Sequence, residues 1–221
     1  MSVAAPVQSS PSQGQVTVAA EGVAAAQFAR CGFDVSVQSG RDKPAYDLVV
    51  AKSGHLLKVF VSGGQDGSWD LTEAYRKRAV DLSSNKANCQ WAIDQWLHHH
   101  GPQTVCCLVQ FQGVPIDDLP RIYLASPYEI ALRLRETVER LGCSTLYEKY
   151  EWSRAGAESA TASTLPSDWT FSEQRIQELQ VKGKSGAPQP TLVSKAGSPA
   201  LVWAASAESV LDRQEELVRT A

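Results

Sequence analysis

The stretch PAYDLVVAKSGHLLKVFVSGG, residues 44–64, decides the fold. Two apolar runs, 46–51 and 56–61, flank Lys52-Ser53-Gly54. Apolar runs this close across a turn-prone tripeptide predict a β-hairpin. The period of two along its second arm, 55–62, puts Lys58, Phe60 and Ser62 on one face. A third run, 33–37, lies upstream behind Ser39-Gly40 and predicts another short strand.

Working outward, Val16, Ala20, Val23, Ala24 and Phe28 recur at helical spacing and predict a helix over 17–30. Gly32 follows where a left-handed residue closes a helix. On the other side, the Gly-rich stretch 63–70 reads as a loop. A helix is expected over 84–99, with Trp91, Ile93, Trp96 and Leu97 packed inward, ended by Gly101-Pro102. TVCCLVQF, 104–111, is almost wholly apolar, as expected of a strand covered on both faces. RIYLA, 121–125, is a further strand. Ser126-Pro127-Tyr128-Glu129 is a capping box with proline at the first helical position. The helix behind it carries Ile130, Leu134, Val138 and Leu141 on one stripe and stops at Gly142. Leu146, Tyr147, Tyr150 and Trp152 read as strand or packed loop, 153–164 as a surface loop, and 173–179 as a helix capped by Ser172.

This order predicts one α/β domain with a central mixed sheet flanked by helices. Its bounds are 15–181. A flexible, Ser/Pro/Gln-rich arm, 1–14, precedes it. A Gly/Ser/Pro/Lys linker, 182–202, follows. The last segment, 203–221, forms an amphipathic helix through Trp203, Ala207, Val210, Leu211 and Leu217, a candidate handle for a protein partner.

Composition narrows the function. With 43% apolar and 20% charged residues, the 221-residue chain supports a real core and is not a disordered polymer. Its 21 basic and 24 acidic side chains give a formal charge of -3. Binding to nucleic acid by bulk positive charge is thereby excluded, while a local basic groove is not. No apolar run approaches the ~18 residues of a membrane span. The N-terminal residues lack the basic start and apolar run of a secretory signal. The five cysteines are odd in number and form no C-x-x-C, which predicts buried reduced thiols in a cytoplasmic protein.

Two segments, AEGVAAAQFARCGFDVSV (20–37) and the hairpin at 44–64, resemble the PD-(D/E)XK nuclease superfamily, the restriction-endonuclease-like fold. GGQDGSWDL (63–71), AIDQWLHHHGPQTVCCLVQF (92–111), PRIYLASPYEIALRLRE (120–136) and STLYEKYEW (144–152) resemble bacterial proteins carrying such a domain. In that family a helix supplies a Glu, the second strand an Asp, and the third strand an acid, a spacer and a Lys. The carboxylates hold Mg²⁺, which prefers oxygen ligands, and metal and lysine activate water for attack on a phosphodiester. The resemblance maps the helix acid onto Glu21 and the strand acid onto Asp47, which it implies as catalytic and metal-binding residues. The third-strand pair falls on Phe60 and Ser62, which can neither ligate Mg²⁺ nor act as a cation. Lys58 shares their face and is the candidate relocated lysine, although it sits roughly 13 Å of strand from position 62. Lys86 on the central helix is a second candidate.

Arg76, Lys77 and Arg78, with Tyr75 and Trp69, form a candidate patch for a nucleic-acid backbone, joined by Lys86. Asp66, Asp70 and Glu73 read as solubilising charge. His98-His99-His100 reads as a helix C-terminus whose imidazoles complement the dipole, because consecutive helical residues point in different directions. Three functions stay open. The first is a nuclease-fold protein that binds DNA and cleaves weakly or not at all. The second is an active Mg²⁺-dependent endonuclease using Asp47, Glu21 and Lys58. The third is a protein-interaction or regulatory module on an inactive nuclease fold. A homodimer is the assembly the resemblance implies.

Overall fold

The computed structural model describes residues 10–38, 45–79, 84–101, 103–153, 161–184, 191–195 and 198–202. Helix α1 (Gln13–Arg30) starts at a capping box in which the Ser12 hydroxyl accepts from the Gln15 amide and the Gln15 side chain accepts from the Ser12 amide. It ends at Gly32, whose φ of +78° suits glycine. Val16, Ala20, Ala24 and Phe28 form its buried stripe.

Strands β1 (Asp34–Val37), β2 (Leu48–Lys52) and β3 (His55–Gly64) follow as an antiparallel meander. Lys52 pairs with His55 across Ser53-Gly54, both at positive φ (51° and 76°). Two positive-φ residues are what a tight hairpin turn matching strand twist requires. The hairpin expected from the sequence is therefore present, and β3 runs three residues beyond its apolar run, to Gly64.

Next come β4 (Ser68–Trp69), the one-turn helix α2 (Glu73–Arg76) and helix α3 (Asn85–His99). After α3, β5 (Thr104–Gln110) returns parallel to β3, and β6 (Arg121–Ala125) pairs antiparallel with β5. The central sheet has the order β1-β2-β3-β5-β6, mixed as expected. All seven residues of β5 are buried, because it lies between β3 and β6 with helices over both faces. Helix α4 (Pro127–Leu141) has the expected capping box, Ser126 with Glu129, and the expected left-handed Gly142 at its end.

The remaining elements are β7 (Leu146–Tyr147), β8 (Lys149–Trp152), β9 (Thr161–Thr164) and α5 (Glu173–Lys184), then β10 (Thr191–Lys195) and β11 (Ser198–Val202). Three expectations are corrected here. The 63–70 stretch contains strand as well as loop, because β4 pairs with β7. The end of the 153–164 loop is a strand paired with β8. Strands β10 and β11 form an antiparallel pair where composition predicted an irregular linker. The chain divides into compact units 1–180 and 181–221. The expected arm over 1–9 and the helix over 203–221 lie outside the described residues. Among the described residues, no helix is long and apolar enough to cross a membrane.

Two apolar layers sandwich the sheet. On one face α1 and α5 bury Ala20, Ala24, Phe28, Ile176 and Leu179 against Leu48, Val50, Val59 and Val61. On the other, α3 and α4 bury Ile93, Trp96, Ile130 and Leu134 against Cys106 and Leu108. Gly63 lets α1 lie flat on β3, since a Cβ there would stand 2.8 Å from the Val16 carbonyl oxygen. Arg175, buried on α5, donates to the Leu124 carbonyl at 3.1 Å and to the Glu129 carboxylate at 2.8 Å. It thereby ties α5 to β6 and to the capping box of α4.

Candidate nucleic-acid interface

Alternation along β3 turns Leu57, Val59 and Val61 toward α1 and leaves Lys58, Phe60 and Ser62 on the opposite face. Phe60 packs against the α3/α4 layer. Its ring centroid lies 4.9 Å from that of His100, and His100 lies 4.7 Å from Trp96. The third-strand position of the expected acid is thus part of a cluster of tilted and edge-on aromatic rings, and Ser62 beside it is half-buried.

His100 is only 4% exposed. Burial lowers its pKa to about 4, the neighbouring His99 adds to this, and a hydrogen bond at the Ala45 backbone opposes both. Its Nδ1 has no hydrogen-bond partner among the described residues. His100 is therefore a neutral core ring at pH 7, in contrast to the dipole-complementing imidazolium expected of 98–100. The sequence missed this because three adjacent histidines at a helix end read as solvated.

Asp47 is also buried, 7% exposed, just ahead of β2. Its Oδ2 accepts from the Val61 amide at 2.5 Å. Its own amide donates to the Val59 carbonyl at 2.8 Å. The side chain thus serves as an acceptor for the β3 backbone just beyond the start of β2. Its charge also helps hold the thiols of Cys106 and Cys107 protonated, after the larger effect of their burial.

Glu21 is half-buried on α1, the helix over the Val59 and Val61 face. Lys58 places its ammonium 5.2 Å from the centroid of the Tyr46 ring, a cation–π contact. Among the described residues, no group of three or more His, Cys, Asp or Glu side chains is placed to hold a metal ion. Asp47 and Glu21 are the oxygen ligands the resemblance offers Mg²⁺, and the third-strand position that would complete them is aromatic. The residues present do not fit the family's metal set.

The basic residues fall in two places. Arg76 pairs with Asp70, and Lys77 pairs with Glu73 at 2.7 Å. Burial pushes the Asp70 carboxyl up, against the pull of Arg76. Arg78 is exposed at the end of this segment. Tyr75 meets the ring of His99 at 6.3 Å, so α2 sits at the C-terminal end of α3. Lys86 lies at the other end of α3, roughly 20 Å along the helix axis, and pairs with Glu139 of α4 at 2.6 Å. The fold therefore separates Lys86 from Arg76, Lys77 and Arg78. Trp69 is buried, with its indole donating to the Val109 carbonyl, and belongs to the core rather than to a surface patch.

What the fold does assemble is a strip. Tyr75, His99, His100 and Phe60 follow one another at ring separations of 6.3, 5.8 and 4.9 Å. The hydrogen bond of His100 at Ala45 places Tyr46 and Lys58 next in line. Tyr46 carried no motif that sequence reading could have singled out, and His99 was read only as part of a helix C-terminus.

No family model matches the chain, and no curated protein matches it. Among solved structures it is similar to the bacterial homing endonuclease I-Ssp6803I, at 14% identity. That match covers 80% of this chain and 98% of the other, with a TM-score of 0.41.

Proposed function

We propose that this chain is a nuclease-fold protein that binds nucleic acid and cleaves it weakly or not at all. The observation that carries the reading is the ring of Phe60 packed at a tilt against His100, where the family's third-strand acid would stand. Two facts support it. The Asp47 carboxylate is engaged by the Val61 amide. Lys58 lies over the half-exposed ring of Tyr46 and Arg78 is exposed, and cations together with accessible rings are what grip a nucleic-acid backbone and its bases.

The test combines a salt titration of binding to labelled DNA with a nicking assay in Mg²⁺ or Mn²⁺. Binding that weakens steeply with salt, without nicking, is the expected result. Absence of binding at low salt refutes the reading. Metal-dependent nicking that disappears in Asp47→Ala and Lys58→Ala would instead establish the active endonuclease.

A second reading has its own observation. Arg76, Lys77 and Lys86 are all ion-paired to carboxylates, which suits a protein-interaction or regulatory module. It predicts no salt-dependent binding to duplex, single-stranded or branched DNA.

A further inference from the structure

We propose that the strip at the end of α3 takes single-stranded nucleic acid, stacking unpaired bases on Tyr75 and His99 while Lys58 and Arg78 hold phosphates. The inference rests on the nucleic-acid-binding reading and names the strand form it selects.

The first argument is the state of the rings. His99 is exposed and Tyr75 half-exposed, whereas His100 and Trp96 behind them are buried. The buried rings fix the exposed ones in place. Tyr75 and His99 meet at an interplanar angle of 61°, edge toward face. Rings in that arrangement do not hide both faces from each other, so flat surface remains for a base. Unpaired bases have free π-faces and stack on aromatic side chains, whereas bases inside a duplex are already stacked and paired.

The second argument is charge. Asp70 and Glu73 occupy Arg76 and Lys77. Lys58 and Arg78 have no acidic partner among the described residues, and Lys58 is steadied on Tyr46. Two cations contact few phosphates, too few for the charge-dominated hold that duplex binding uses. An interface with few cations and adjacent exposed rings favours stacking.

The experiment is fluorescence anisotropy of the full chain with a labelled oligothymidylate and with a duplex of equal length, at several salt concentrations. Single-strand binding at least about tenfold tighter than duplex binding is expected. His99→Ala and Tyr75→Leu should each weaken single-strand binding about tenfold, and Tyr75→Phe should restore it, because the π-face is what binds. Tyr75→Leu keeps an apolar side chain in the α3 layer, and circular dichroism of each variant verifies the fold. Lys58→Ala should reduce the slope of log affinity against log salt by about 0.7. Equal or tighter duplex binding, indifferent to His99→Ala and Tyr75→Leu, overturns the inference and leaves nucleic-acid binding standing. Binding of neither form at low salt removes both.

Discussion

Asp47 and His100 are buried polar groups whose surroundings bear directly on stability. The Asp47 carboxylate accepts the Val61 amide inside the protein. A buried amide without an acceptor costs about 1–3 kcal/mol. Asp47→Ala should therefore lower the urea-unfolding free energy by that amount, whereas Asp47→Asn, which keeps an acceptor oxygen, should lose roughly half as much. An alanine variant as stable as the wild type would show that the bond contributes nothing.

His100 makes stability depend on pH. Its folded pKa, about 4, lies below the ordinary imidazole value, so the fold favours the neutral ring. Above pH ~6.5 both folded and unfolded states are neutral and the group has no effect. As pH falls below that, the unfolded chain binds the proton first and stability drops, until the folded ring also protonates near pH 4. The loss across this window is about 3 kcal/mol. Denaturant titrations from pH 7 to pH 4.5 should show it in the wild type and not in His100→Phe. Parallel pH profiles for the two proteins would contradict it.

At the scale of elements, the contact between α1 and β3 depends on one missing side chain. A Cβ on Gly63 would meet the Val16 carbonyl oxygen at 2.8 Å and its Cγ1 at 2.9 Å. Backbone cannot yield as a flexible side-chain tip does, so α1 would have to shift off the sheet. Gly63→Ala is expected to cost about 1–3 kcal/mol, as overpacking does, and to lower the midpoint of thermal unfolding. Unchanged stability would mean that α1 is free to slide. Elements also differ in how plainly they are written. The capping box and glycine stop of α4 and the hairpin of β2 and β3 were legible, because each depends on neighbours in sequence. Strand β9 and the β10–β11 pair were not, because TAST is small and mostly polar and the short apolar stretches of β10 and β11 lie among Gly, Ser, Pro and Lys that read as linker.

Across the whole molecule, the sheet and its two helical layers decide which thiols react. Cys89, Cys106 and Cys107 are buried, whereas Cys31 and Cys143 are half-buried. Burial pushes the Cys107 thiol up to about 12 and Cys106 well above its ordinary value. A native-state thiol titration at pH 8 should modify two of the five cysteines promptly and the other three only in denaturant. Rapid modification of all five would contradict the two-layer packing. The reduced, buried thiols expected from cysteine count and spacing agree with three of the five positions.

The sequence by itself determined the α/β class, the hairpin at 44–64 and the long helices. Each of these follows from residue type and local period. The tertiary structure alone decided that Asp47 caps the β3 backbone, that Phe60 packs against a neutral His100, and that Lys86 pairs with Glu139 far from Arg78. Those outcomes depend on which distant segments the packed sheet and helices bring within a few ångströms, and local periodicity does not encode that.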